Sequence, residues 1–232
     1  MSKISVYLIP APLGSYLSDM ALSSISAIKK TQHIFVESKG RFIQKLQLKG
    51  YLTPKHELMV LDKNALNKAK ILVQNGQSFA ILADTGNPCF VDPGHDIIGY
   101  LLDDCSKEIE LIPLGMSSAL DAVLSMAGFD IQKFIFCGHY PENHLPLSFL
   151  QGGIPCVFYV AGKGVRDWIE QIEEEISYAT VTLYRNIRDR DGGQIYRWKE
   201  RESSPSMIAN NSNDNYVAIV VPLRSNEDFL TD

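Results

Sequence analysis

Ala83-Asp84-Thr85-Gly86-Asn87-Pro88-Cys89-Phe90-Val91-Asp92-Pro93-Gly94 is the stretch that decides the fold. In front of it, Ser78–Leu82 reads as a short buried strand. Behind it, His95–Cys105 carries Ile97, Ile98, Leu101 and Leu102 at helical spacing. The segment between them holds two Gly, two Pro, two Asp and one Asn, far more punctuation than a plain strand-to-helix connection needs. Gly86 and Gly94 permit backbone angles that other residues avoid, and Pro88 and Pro93 stiffen the path. Asp84 stands at the carboxyl end of its strand, where open α/β sheets place their ligands.

The same pattern recurs on both sides. Val6–Ile9 is an apolar strand that runs into Pro10-Ala11-Pro12-Leu13-Gly14-Ser15, and Ile34–Val36 ends in Glu37-Ser38-Lys39-Gly40-Arg41. Leu58–Leu61 is a further strand, and Ile109–Ile112 leads into Pro113-Leu114-Gly115-Met116-Ser117-Ser118. Helices are expected over Met20–Lys30, Phe42–Leu48, Asp62–Gln74, His95–Cys105 and Ala119–Gly128. Asp19 is the expected cap of the first, with Leu22, Ile25 and Ile28 on its inward stripe. Strand and helix alternating about five times predict an α/β fold with a mostly parallel sheet, covered by helices on both faces. Right-handed crossovers then bring loops 10–15, 37–41, 83–94 and 113–118 to one rim.

After Gly115 the texture changes. Phe134–Cys137, Cys156–Val160 and Tyr216–Val221 read as strands and Val165–Ile176 as an amphipathic helix. Thr180–Arg188 and Gln194–Lys199 flank Asp191-Gly192-Gly193 as a hairpin. A second α/β domain with a mixed sheet is therefore expected over residues 114–232, after an N-terminal domain of residues 1–113.

Composition narrows the chemistry. The 232 residues are 45% hydrophobic and 21% charged, with a net charge of −5, which weighs against broad non-specific nucleic-acid binding. A local basic lip built from Lys39, Arg41, Lys163, Arg166, Arg185, Arg188 and Arg190 remains compatible with that charge. Met1–Ser5 lead directly into a strand without secretory regions, and no apolar run reaches the length of a membrane span, so a cytoplasmic protein is expected. Four widely spaced cysteines and five scattered histidines suggest neither a metal site nor a disulfide framework. The phosphate-loop, dinucleotide, zinc-helix and nucleophile-elbow patterns are all missing. A rim of stiff Gly/Pro loops with few titratable groups suits an enzyme that positions a reactive cofactor, and a sulfonium methyl donor fits that description.

Val6–Gly14, Ala80–Gly94 and Ile112–Pro141, taken in order, resemble the tetrapyrrole methylase superfamily of S-adenosylmethionine-dependent methyltransferases. Asp84-x-Gly86-x-Pro88 followed by Asp92-Pro93-Gly94 carries the likeness most specifically. Within the superfamily it is nearer to the enzymes that 2′-O-methylate a cytidine of small-subunit ribosomal RNA. The resemblance implies two α/β domains with the cofactor folded between them, and a homodimer. It implies cofactor contacts at Leu13, Asp84, Gly86, Asn87, Val91, Asp92, Ser117, Ser118, Val160 and Arg185. Glu37 is the candidate that orients or deprotonates the acceptor hydroxyl, and Lys39, Arg41, Arg166 and Arg188 are candidates for binding the acceptor. Acceptor-side motifs depart from the family: Glu37-Ser38-Lys39-Gly40 stands in place of Glu-Asp-Thr-Arg, and Arg185-Asn186-Ile187-Arg188-Asp189 in place of Arg-Glu-Leu-Thr-Lys. A tetrapyrrole or other small-molecule acceptor, and a non-catalytic cofactor-binding module, therefore stay open beside the ribosomal acceptor.

Overall fold

The structure, a computed structural model, describes residues 3–12, 16–90, 93–116, 118–140, 146–176, 178–187, 193–199 and 204–223. It divides into two compact units, Met1–Asp130 and Ile131–Asp232.

The first unit alternates strand and helix: β1 (Ile4–Ile9), α1 (Leu22–Lys30), β2 (His33–Val36), α2 (Arg41–Leu48), β3 (Glu57–Val60), α3 (Ala65–Gln74), β4 (Phe79–Leu82), α4 (His95–Asp104), β5 (Ile109–Pro113) and α5 (Ala119–Ser125). The five strands form one all-parallel sheet in the order β3-β2-β4-β1-β5. Every residue of β2 and β4 is buried, as a parallel sheet covered on both faces requires. Side chains alternate between the faces. Ile9, Ile34, Val36, Ala80, Leu82 and Ile112 pack with Ala27 and Ile28 of α1 and Phe42, Ile43 and Leu46 of α2. Phe35 and Phe79 point the other way and meet edge to face at 5.4 Å. Helices α3 and α4 adjoin, with the Lys70 ammonium 5.0 Å from the centre of the Tyr100 ring. Buried His56 ties the approach to β3 onto α1. Its Nδ1 accepts from the Thr53 backbone N–H at 2.9 Å, so its Nε2 donates to the Ile28 carbonyl at 3.0 Å.

Three expectations for this unit change. Asp19 does not cap α1; it closes a single 3-10 turn, Leu17–Asp19, and α1 begins at Leu22 with no side-chain cap. Leu22 is the first residue of α1 and lies about 120° around the helix from Ile28, so a face centred on Ile28 leaves Leu22 at or beyond its edge. Ile28 is buried and Leu22 is 85% exposed. The boundary expected between residues 113 and 114 falls inside the first unit. Ala122, Val123 and Leu124 of α5 are buried, and beyond them the backbone of Gly128 meets α4, where a Cβ on Gly128 would stand 2.8 Å from Gly99 Cα.

The second unit contains β6 (Ile135–Tyr140), α6 (Leu147–Gln151), β7 (Cys156–Ala161), α7 (Val165–Glu175), β8 (Ala179–Arg185), β9 (Gln194–Trp198) and β10 (Asn215–Pro222). Its sheet runs β6-β7-β10-β8-β9, with β6 and β7 parallel and the remaining pairs antiparallel. Trp168, Ile169 and Ile172 of α7 pack on Phe158, Val181, Leu183 and Ala218, and the Phe158 and Trp168 rings meet at 5.7 Å. The expected hairpin is present as β8 and β9, with Arg185 opposite Gln194; Asp191 and Gly192 lie outside the described residues. β8 stops at Arg185 rather than Arg188 because Asn186 turns to φ +46° and binds Asp214 through its side chain.

Candidate functional site

Because all five strands of the first unit are parallel, their carboxyl ends share one rim, and the following loops meet there. Ala11 and Gly86 pair as an isolated antiparallel bridge, with N–H to carbonyl distances of 2.9 and 3.0 Å. Gly86 needs φ +68° to do this, a left-handed angle that favours glycine. The loop after β2 reaches the same place, where the Ser38 hydroxyl hydrogen-bonds Asp84 Oδ2. Ser38 Oγ also accepts from the Gly40 N–H at 3.1 Å. The loop after β5 closes the group. Gly115, at φ +67°, lies so near Pro10 and Ser24 that a Cβ there would be 3.5 Å from Pro10 Cγ and 3.0 Å from Ser24 Oγ.

This rim has a topological switch point. β1 and β4 are neighbours, yet the connection from β1 runs toward β2 and that from β4 runs toward β5, in opposite directions along the sheet. Open α/β sheets bind ligands in the crevice formed at such a point. The Ala11–Gly86 bridge lies there, and so does Asp84. Asp84 Oδ1 is buried and has no hydrogen-bond partner among the described residues. A buried carboxylate oxygen left without a donor is costly, so Asp84 Oδ1 is a polar atom of this rim with hydrogen-bonding capacity to spare.

The structure treats the remaining expected residues unequally. Leu13, Val91, Asp92, Ser117 and Arg188 lie outside the described residues. Asn87 is half-buried beside Gly86 in the same loop. Ser118 caps α5, its Oγ accepting from the Asp121 N–H at 3.1 Å. Glu37 is half-buried at the end of β2, next to Ser38. Lys39 and Arg41 are exposed; Lys39 lines a surface cavity of about 500 Å³ with Glu57, Val60, Asp62 and Lys68. Arg166 is committed within the second unit, where its Nη2 donates to the Ser206 carbonyl at 3.0 Å and its backbone N–H to Asn210 Oδ1 at 3.0 Å.

Val160 and Arg185 are brought together through Tyr216, which is the register partner of both. Arg185 Nε lies 2.9 Å from Asp214 Oδ2, and its Nη1 donates to Gln194 Oε1 at 2.8 Å. The hydrogen bond to Asp214 holds the guanidinium above its ordinary pKa. Asp214 Oδ1 also accepts from Asn186 Nδ2 at 2.9 Å. Asp214, Ser38 and Ala11 are the residues that reading the sequence did not single out. Ser38 stands among charged neighbours, and Asp214 closes a Ser/Asn-rich connector. Among the described residues, no three His, Cys, Asp or Glu side chains gather as metal ligands would, and no helix is long and apolar enough to cross a membrane.

The chain is similar in sequence to methyltransferases of the small-subunit ribosomal RNA. The relatives are named ribosomal RNA small subunit methyltransferase I. The one from Streptococcus pyogenes serotype M3 is 29% identical over 142 residues, covering 60% of this chain and 47% of its own. The one from Buchnera aphidicola is 27% identical over 216 residues, covering 86% of this chain and 73% of its own. The chain thus spans about half the length of the streptococcal relative it matches. No protein-family model matches the sequence. The solved uroporphyrin-III-C-methyltransferase from Thermus thermophilus is 13% identical, covering 95% of this chain and 94% of that one, with a TM-score of 0.35.

Proposed function

We propose that the chain is an S-adenosylmethionine-dependent methyltransferase whose acceptor is a ribose 2′-hydroxyl of small-subunit ribosomal RNA. The observation that carries this reading is the rim at the β1/β4 switch point, where the Ala11–Gly86 bridge borders Asp84 with one buried carboxylate oxygen unmatched. The names of the sequence relatives support the acceptor. When bound, S-adenosylmethionine supplies a methyl group activated on a sulfonium sulfur. The protein's part is positional. Asp84 accepts a hydrogen bond from a donor on the adenosyl or methionyl portion, and the Gly86–Asn87 backbone, stripped of side chain at Gly86, lets the ligand lie close. Glu37, at the neighbouring strand end, takes the proton of the acceptor hydroxyl as its oxygen gains the methyl group. In-line alignment of donor and acceptor, with little acid–base machinery, accounts for most of the rate.

A small-molecule acceptor is the second reading, favoured by the net charge of −5. Calorimetric titration with S-adenosylmethionine, beside methyl transfer to undermethylated small ribosomal subunits, separates the readings. Binding with transfer supports the proposal. Binding without transfer points to another acceptor or to a module that binds without turnover, and absence of binding rules out S-adenosylmethionine as the ligand.

A further inference from the structure

Among the residues around Asp84, the charged ones attract notice, yet the side chain that touches it is a serine. Val36 of β2 and Leu82 of β4 are register partners. Ser38 and Asp84 each lie two residues further on, so the parallel ladder itself sets them side by side. A serine hydroxyl has one proton and two lone pairs. Ser38 Oγ uses a lone pair for the Gly40 N–H at 3.1 Å, so its proton is left for Asp84 Oδ2. The missing side chain of Gly40 makes room for this arrangement, since a Cβ there would stand 2.9 Å from Ser38 Oγ and 3.8 Å from Asp84 Oδ2. One oxygen of Asp84 is thereby held, and the other, Oδ1, is buried without a partner among the described residues.

We infer that Ser38 is a positioning residue for the adenosyl ligand: its hydroxyl fixes the Asp84 carboxylate so that Oδ1 faces a donor on the ligand. This inference rests on the cofactor reading above. Ser38 itself is exposed and supports little of the fold, so its effect appears in binding rather than stability.

The test is a double-mutant cycle on the full chain, titrating S-adenosylmethionine by calorimetry into wild type, Ser38→Ala, Ser38→Thr, Asp84→Ala and Ser38→Ala/Asp84→Ala. A hydrogen bond to a charged group predicts that Ser38→Ala weakens binding by roughly tenfold or more, at an unchanged thermal midpoint. Ser38→Thr, which keeps the hydroxyl, restores affinity to within about threefold of wild type, the remainder being its side-chain rotamer restriction. In the Asp84→Ala background, Ser38→Ala has no further effect, because the coupling runs through the carboxylate. Wild-type affinity in Ser38→Ala, or an equal loss in the Asp84→Ala background, overturns the inference. Failure of the wild type itself to bind overturns the cofactor reading on which the inference stands, and is told apart from those results by the first titration.

Discussion

Gly162→Ala gives a demanding test of the second unit's geometry. Gly162 follows β7 and is buried, and its backbone is joined to the segment before β10 by two hydrogen bonds. Its N–H donates to the Asp214 carbonyl at 2.9 Å, and its carbonyl accepts from the Asn211 N–H at 3.1 Å. A Cβ built on Gly162 would lie 2.0 Å from the Asn211 carbonyl oxygen and 2.7 Å from that of Asp214. Both obstacles are backbone, so the segment itself has to retreat. Losing two backbone hydrogen bonds costs about 1 kcal/mol each, and forcing atoms into a filled space adds about 1–3 kcal/mol, for a total of about 3–5 kcal/mol. For a unit of roughly 100 residues each kcal/mol lowers the melting midpoint by about 4–8 °C, so a fall of at least about 12 °C is expected. Urea denaturation followed by circular dichroism, with a thermal scan, measures it. A loss below about 1 kcal/mol would mean that the 2.0 Å approach does not exist in solution and that the Arg185–Asp214 corner is built differently.

Further outcomes follow from other corners of the molecule. Gly128→Ala combines a left-handed backbone, φ +71°, with a Cβ 2.8 Å from Gly99 Cα; a loss of about 2–4 kcal/mol is expected in urea melts, and a near-neutral result would detach this segment from α4. Asp84→Ala weakens S-adenosylmethionine binding by roughly tenfold or more while the thermal midpoint holds, and unchanged affinity in calorimetry would show the 83–94 loop misassigned. Cys137 alkylates before Cys156. The hydrogen bond from Cys156 holds the half-buried Cys137 thiol below its ordinary pKa, while that same bond and burial push Cys156 up. The rate of iodoacetamide labelling at Cys137 should therefore rise with pH through a midpoint below that of a free cysteine, with mass spectrometry identifying the site. Labelling of Cys156 first would reverse the assignment.

Much of the first unit was legible because its strands are short apolar runs separated by amphipathic helices, a pattern that admits few sheets other than a covered parallel one. Convergence of the Pro10, Asp84 and Gly115 loops followed from parallelism alone. Their pairing did not. Local sequence does not carry the order β3-β2-β4-β1-β5, so nothing in it sets Ala11 against Gly86. The boundary expected at residues 113 and 114 follows a shift in composition near Gly115, whereas the segment after α5 is held to the first unit by a backbone approach between Gly99 of α4 and Gly128, fifteen residues beyond the end of β5 and invisible as hydrophobicity. Ser38 was hidden for a related reason. A serine between Glu37 and Lys39 has no patterned signal, and its importance appears when the β2–β4 register sets it beside Asp84. Arg166 shows the reverse case: a cation that looks available in the sequence is tied to the Ser206 carbonyl in the fold.

The switch-point rim of the first unit is proposed to hold an adenosyl ligand. A crystal structure of the chain with S-adenosylhomocysteine tests it most directly. Density is expected against Ala11 and Gly86, with a ligand donor within hydrogen-bond distance of Asp84 Oδ1. Ligand density elsewhere, with Asp84 Oδ1 met by a protein donor, would contradict it.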